Sequence, residues 1–270
     1  MEWKRNFHTH TAYCDGKNTP EEMVEEAVKK HFSALGFSGH AYTSFDTSYC
    51  MDDEAFGKYL EELTRLQKKY QGKIQILKGL EYDYYAEQSC EGLDYTIGSV
   101  HYVEIDGKFY PVDESPECTK QIIAECGGDA MAYAELYFET VADVVRKTGC
   151  DIIGHFDLIK KFNRNGMTLV DEHHPWYVAA WKKAVTRLVP CGKPFEINTT
   201  PISWREDGEM YPSLEILQEI HRLGGKITIS SDAHDRKYLD RGFTEAVQMA
   251  KKAGFETVVA LDGNQREIPL

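Results

Sequence analysis

Residues 6–16 read "NFHTHTAYCDG". Three side chains that commonly bind metals, His8, His10 and Asp15, fall within one short stretch. A single His-x-His serves equally well in an ordinary surface loop, so its meaning depends on the surrounding chain. The next segment, "TPEEMVEEAVKKH", has a capping residue in Thr19, a proline at the first helical position, and Glu21 and Glu22 at the positive end of the helix dipole. The stretch is therefore a strand end that opens into a ligand-rich loop and then a helix.

The same unit recurs along the chain. "SALGFSGH" is a short apolar strand, and "DDEAFGKYLEELTRLQKKY" spaces Phe56, Leu60, Leu63 and Leu66 at helical intervals. Further strands are predicted at "KIQILKGLEYDY", "LDYTIGSVHYV", "CDIIGHFDL", "KPFEINTT", "KITISSDAH" and "TVVAL". Helices are predicted at "AELYFETVADVVRKTG", "HPWYVAAWKKAVTRL", "PSLEILQEIHRLGG" and "RGFTEAVQMAKKAG". Strands alternating with helices imply parallel βα units, either a barrel or a doubly wound sheet. No Pro-, Gly- or Ser-rich linker divides the chain, so residues 1–270 are expected to form one domain. "EIDGKFYPVDESPECTKQIIAECGGDAM" is expected to be an irregular insertion, a candidate lid.

Histidines concentrate where the apolar runs end. His8 and His10 end the first, His40 the second, His101 and His155 later ones, and His234 the run "ITISSDAH". Glu81 closes "IQILKGLE", and Asp232 lies two residues before His234. In a parallel barrel these ends open on one face, so residues far apart in sequence share a pocket. Taken singly, His40 reads as a satisfied core histidine and Glu81 or Asp232 as a helix cap. Taken together, so many imidazoles and carboxylates buried in one place would leave unpaired polar groups and like charges unless a cation joined them. Imidazole and carboxylate without thiolate favour Zn²⁺, Mn²⁺ or Fe²⁺ over Ca²⁺. His31, His173, His174 and His221 fall in or before predicted helices and are expected at the surface.

Composition narrows the class. The chain is 42% hydrophobic and 28% charged, and no apolar run approaches the roughly 18 residues of a membrane helix. "MEWKRNFHTH" has no apolar core of a secretory signal, so the cytoplasm is the expected compartment. Seven cysteines without a C-x-x-C pair are expected as free thiols. A formal charge of -13 argues against tracking a phosphate backbone.

The ordered series "HTHTAYCDG", "SGH", "GLE", "GSVH", "GH" and "SDAH" resembles the polymerase-and-histidinol-phosphatase superfamily of metal-dependent phosphoesterases, and within it the histidinol-phosphatase branch. The resemblance spans almost the whole chain. It implies a distorted (βα)7 barrel with up to three divalent ions on its C-terminal face, zinc foremost, with manganese or iron as alternatives. Carried over by position, His8, His10, Glu81 and Asp232 would hold the first ion. Glu81, His101 and His155 would hold the second, and Asp15, His40 and His234 the third. Some members of the superfamily have histidine where this chain has Asp15.

The implied reaction is hydrolysis of L-histidinol phosphate to L-histidinol and phosphate in histidine biosynthesis, by a hydroxide bridging two metals. Glu81, Asp232 and His234 are the residues implied in catalysis, with Asp232 or a metal-bound water protonating the leaving group. Arg164, Arg205 and Arg236 follow predicted strands and are candidate phosphate clamps, because the guanidinium fork matches phosphate oxygens. Residues 81–85, "EYDYY", and Glu104 are candidates for meeting a cationic leaving group. The expected partner is a small phosphate ester, with neither nucleic acid nor membrane, and oligomeric state is open. The competing readings are a nuclease or nucleotide phosphodiesterase on the same metals, a phosphatase of another small monoester, and a noncatalytic metal-binding protein.

Overall fold

The structure, a computed structural model, describes residues 4–164, 166–203, 208–261 and 266–270. Its elements in chain order are β1 (Arg5–Asn6), α1 (Pro20–Lys29), β2 (Ala34–Phe37), α2 (Asp53–Lys69), β3 (Gln75–Asp83), β4 (Tyr95–Ser99), β5 (Tyr102–Ile105), β6 (Lys108–Pro111), α3 (Pro116–Glu125), α4 (Ala130–Thr148), β7 (Ile152–Ile153), α5 (Pro175–Leu188), β8 (Phe195–Asn198), α6 (Leu214–Arg222), β9 (Ile227–Ser230), α7 (Phe243–Ala253), β10 (Thr257–Ala260) and β11 (Arg266–Pro269). Local chemistry fixes several starts. Thr19 and Glu22 form a reciprocal capping box on α1, and Asp52 accepts from the Ala55 amide to start α2.

Seven parallel strands lie in the order β1-β2-β3-β4-β7-β8-β9. The two edges meet just beyond the named strands, where the His10 amide donates to the Ala233 carbonyl at 3.0 Å and the Ala233 amide to the His8 carbonyl at 3.3 Å. The result is a nearly closed, distorted (βα)7 barrel. Its helices pack outside through residues such as Met23, Leu63, Val144, Val185 and Ala250, against outward strand residues that include Leu35, Phe37, Ile153 and Ile197.

The alternation of strand side chains makes the interior a gradient. Along β3, Leu77, Gly79, Glu81 and Asp83 share one side of the pleat; along β4 and its extension, Tyr95, Ile97, Ser99 and His101 do the same. The lower members form a small apolar cluster with Ala34, Ile152, Val259 and Leu261. The upper members include the candidate ligands Glu81 and His101, with Ser99 donating to Glu81 and Asp83 beside His101. Tyr95 crosses the interior because its neighbour is glycine: a Cβ on Gly79 would stand 2.3 Å from the Tyr95 ring. That phenol donates to the carbonyls of Phe7 and Phe37, tying β4 to the first two strands of the sheet.

Two expectations need correction. "TVVAL" contributes β10, but β10 pairs antiparallel with β11, Val258 opposite Ile268, and lies outside the parallel sheet. The bridge between Thr9 and Ala233 already joins the sheet's edges, leaving no place for an eighth strand. The supposed irregular insertion is ordered: β5 and β6 form a hairpin across Asp106-Gly107, both at positive φ, and Ser115 caps α3. Asp-Gly between short runs of strand-forming residues is a strong hairpin signal. Among the described residues no helix is long and apolar enough to cross a membrane, and all seven cysteines are free.

Candidate metal centre

All nine sequence-predicted ligands converge at the C-terminal ends of the strands. Three groups have ligand atoms within 4.8 Å of one another: His10, Asp15, His40 and His234; His8, His10 and Asp232; and His40, Glu81 and His101. The grouping differs in detail from the expected partition, because His10 and His40 are each shared. His155 joins through its Nε2, 2.8 Å from Glu81 Oε1. Glu81 is the hub. Its carboxylate lies within 3.4 Å of a ring nitrogen of each of His8, His10, His40, His101 and His155.

Local backbone explains how these groups arrive. Asp15 returns to His10 because the chain turns tightly at Gly16, whose amide donates to the Thr11 carbonyl; a Cβ there would stand 2.4 Å from the Thr11 nitrogen. The turn places Asp15 Oδ2 at 3.0 Å from His234 Nε2 and 3.6 Å from His40 Nε2. Asp232 adopts φ +51°, a conformation that aspartate tolerates better than most residues and that recurs at functional sites. Asn198 steadies it by donating to Oδ2 at 3.2 Å.

Two groups act on the ligands in roles that the sequence reading did not assign: Glu196, which it missed, and Asp83, which it named only for the leaving group. Glu196, fully buried, accepts from His8 Nδ1 at 2.7 Å and from the His155 amide at 2.9 Å. This fixes which His8 nitrogen faces the other ligands, as carboxylates do for metal-binding histidines. Asp83 accepts from the His101 amide and lies 3.4 Å from its Nδ1. The available signal was parity: Asp83 shares Glu81's side of β3, and Glu196 is a charged residue within an otherwise apolar strand run.

The donor set fits a cation. His8 Nε2, His10 Nε2 and Asp232 Oδ1 belong to one group, are buried, and make no hydrogen bond. Buried polar atoms seldom stay so. Electrostatics agrees. Burial depresses the His8 imidazole, but Glu196, Glu81 and Asp232 outweigh it and hold its pKa well above the usual value. Burial works against the Glu81 carboxylate too, yet His8, His101 and His40 keep it ionised well below the usual range. Asp232 follows the same pattern through His8, His10 and His234. A bound cation would take over the role of the imidazole protons.

A cavity of about 580 Å³ opens over the cluster, with Asp15, His40, Glu81, His155, Asp232 and His234 on its floor. Tyr49, Tyr102 and Lys161 belong to its wall. The loop arginines lie elsewhere. Arg236 is drawn to Glu22 on α1, Nη1 to Oε1 at 3.3 Å, and Arg164 sits over the Phe162 ring at 5.8 Å; neither lines the cavity. Arg205 is outside the described residues. Nor do Tyr82, Asp83, Tyr84, Tyr85 or Glu104 line it. Of the remaining histidines, His31, His173 and His221 are exposed and His174 caps α5.

Comparison with known proteins gives a consistent result. Residues 6–200 match the family described as PHP domain. The histidinol-phosphatase of Bacillus subtilis is 29% identical over 253 residues, covering 86% of this chain and 93% of that protein. The histidinol-phosphatase of Lactococcus lactis is 25% identical over 277 residues, covering 96% and 93%. A crystal structure of histidinol phosphate phosphatase from Lactococcus lactis, complexed with zinc, L-histidinol and phosphate, has the same fold, with a TM-score of 0.76 at 22% identity over 98% of this chain and 99% of that one.

Proposed function

Because the chain belongs to the PHP domain family, we propose that it is a metal-dependent phosphomonoesterase that hydrolyses L-histidinol phosphate to L-histidinol and phosphate, acting as one domain with up to three divalent ions, zinc foremost. The single observation that carries this reading is the convergence of nine imidazole and carboxylate ligands on the floor of an open cavity, with buried ligand atoms that lack hydrogen bonds. The relatives named histidinol-phosphatase, matched over most of their length, supply the substrate.

When bound, divalent ions supply Lewis-acid stabilisation of the charge on phosphoryl oxygens. The chain's own residues do the rest. Glu81 lies within 3.4 Å of five imidazoles from the three ligand groups and His155, and its negative charge would help to hold the cations there. Glu196 and Asp83 orient His8 and His101 so that an Nε2 of each turns toward Glu81. Asp232, 16% exposed at its side chain against 1% for Glu81, lines the cavity and is the more open of these two carboxylates to substrate and solvent. His234, next to Asp232, meets Asp15 at 3.0 Å on the floor of the cavity. A cavity of this size suits a small monoester, and a formal charge of -13 disfavours a nucleic-acid strand.

The test is a substrate panel with zinc or manganese supplied: L-histidinol phosphate, sugar and amino-alcohol phosphates, a nitrophenyl nucleotide diester and single-stranded DNA. The expected outcome is clear preference for L-histidinol phosphate. Comparable cleavage of DNA or the diester would replace this reading with a nuclease, and zinc binding without any hydrolysis would replace it with a noncatalytic metal protein.

A further inference from the structure

Residues 41–50, between β2 and α2, leave the sheet and return to nearly the same point. The Met51 amide donates to the His40 carbonyl at 3.2 Å, so the two ends of the loop are joined beside a candidate metal ligand. Compact loops with closed ends frequently carry function. The base of this one is also held from outside, where the Glu87 amide donates to the Tyr42 carbonyl at 3.0 Å.

The middle of the loop is fastened to a second element outside the barrel, the β5–β6 hairpin. Phe45 stacks on Phe109 with ring centroids 4.0 Å apart and meets Tyr102 edge-on at 4.8 Å. Beside it the Tyr102 phenol donates to Asp46 Oδ2 at 2.7 Å. Asp46 lines the cavity, and its charge alone would suit a cationic leaving group. Its oxygens are largely taken, however, because Oδ1 also accepts from the Ser48 amide at 3.0 Å and from the Ser48 hydroxyl at 2.7 Å. Burial opposes its ionisation, yet Tyr102 and Ser48 hold its carboxyl below the usual range. Asp46 thus acts first as a fastener between loop and hairpin. The joined pair presents Ser48, Tyr49, Tyr102 and Pro111 to the cavity, and the Tyr49 ring reaches the His40 ring edge-on at 4.8 Å. Phe45 and Phe109 do not line the cavity; they pack outside it.

We propose that this fastened wall limits the size of the phosphoester that reaches the ligand cluster. Phe45 and Phe109 are positioning residues for Tyr49 and Tyr102, and a bulky ester enters only when the loop parts from the hairpin. The proposal rests on the phosphatase reading for its substrate class, but the size limit is testable without turnover. A ligand that needs the parted state binds in proportion to the fraction of molecules in it, and loss of one aromatic pair shifts such a fraction by roughly 2- to 10-fold.

The experiment uses the zinc-loaded parent, Phe45→Ala, Phe109→Ala, the double variant, Phe45→Tyr and Tyr102→Phe. After zinc content is measured, each is titrated calorimetrically with two non-hydrolysable probes that share one group: the phosphonate analogue of phosphoserine, and a hexapeptide carrying that residue at its centre. The parent should bind the small probe more tightly than the peptide by roughly tenfold or more. Phe45→Ala and Phe109→Ala should each tighten the peptide by roughly 2- to 10-fold and leave the small probe unchanged. The double variant should gain little beyond either single one, because both break the same contact. Phe45→Tyr should keep the parent's ratio. Tyr102→Phe keeps the ring, removes the bond to Asp46 and should shift the ratio toward the peptide, which decides the matter if an alanine variant loses zinc. A parent that binds both probes equally, or neither, would overturn the proposal, as would an unchanged ratio in the zinc-retaining variants. If L-histidinol phosphate stays intact while the probes are still separated by size, the substrate reading fails and the size limit stands.

Discussion

The barrel buries charge in two places and balances it in two ways. Around Lys160, Asp157, Glu172 and Glu209 gather about a cation that the chain itself supplies. At the strand ends Glu81 and Asp232 gather among histidines, and among the described residues no Lys or Arg pairs with either. The first cluster is built to hold a turn in place. The second is built to be completed from outside. Neither buried charge nor a buried atom without a hydrogen bond therefore marks a functional site by itself, since Lys160 Nζ and Asp157 Oδ1 lack one too; what marks it is buried carboxylates with no permanent cation supplied by the chain.

The largest effect expected from breaking this contrast is at Glu81. Glu81→Gln keeps the size but removes the charge shared by the ligand groups, so elemental analysis after dialysis should find roughly two metals missing, with turnover down on the order of 10³-fold. His40→Ala should lose about one metal and less turnover, since it leaves the Glu81 carboxylate and its charge in place. Near-normal metal content in Glu81→Gln would refute the hub.

Lys160→Met comes next and should act on stability instead. It leaves Asp157 buried without its cation, which costs about 3 kcal/mol or more in a denaturant titration, while zinc content per folded molecule stays unchanged. If zinc were lost in proportion, the two clusters would be one system.

Glu196→Gln sharpens the comparison from within the metal face. The residue lies behind His8, so its loss should weaken zinc binding by about 10- to 100-fold without abolishing it. A fully retained zinc affinity would reduce Glu196 to a packing residue.

The smallest effect belongs to an ion cluster near solvent. Asp240 accepts from Lys30 at 2.6 Å and Lys4 at 2.9 Å, and its side chain is 27% exposed. Burial opposes its ionisation, but the two lysines hold its pKa below the usual carboxylate range. Its stabilisation is thus present above that range and lost as pH falls through the lowered pKa. Asp240→Asn should cost about 0.5–1 kcal/mol at neutral pH, with the difference from the parent vanishing in acid. A difference that persists in acid would mean that packing, not charge, is at stake there.

The ligand positions were legible because a parallel barrel converts strand ends into a common face, so "SGH", "GLE" and "SDAH" could be placed together without contacts. Glu196 and Asp83 were harder to see because they act through other residues, and only the pleat's parity marks them. Arg164 and Arg236 do not reach the cavity, for a different reason. Position after a strand does not fix where a long side chain turns, and Glu22 on a neighbouring helix takes Arg236. Lys160 and Lys161 look identical in "IKKF", yet the backbone turn sends one inside and the other to the cavity. The β5–β6 hairpin was readable from Asp-Gly, but the ligand-bearing "GSVHYV" drew the strand across the break at Val100-His101.

The most direct test of the account is the turnover of L-histidinol phosphate as zinc is added back to chelator-treated protein, with far-UV circular dichroism followed in the same samples. The account predicts an intact fold and no turnover without metal, then activity that rises and saturates near three zinc ions per chain. Full turnover in the stripped protein would contradict it.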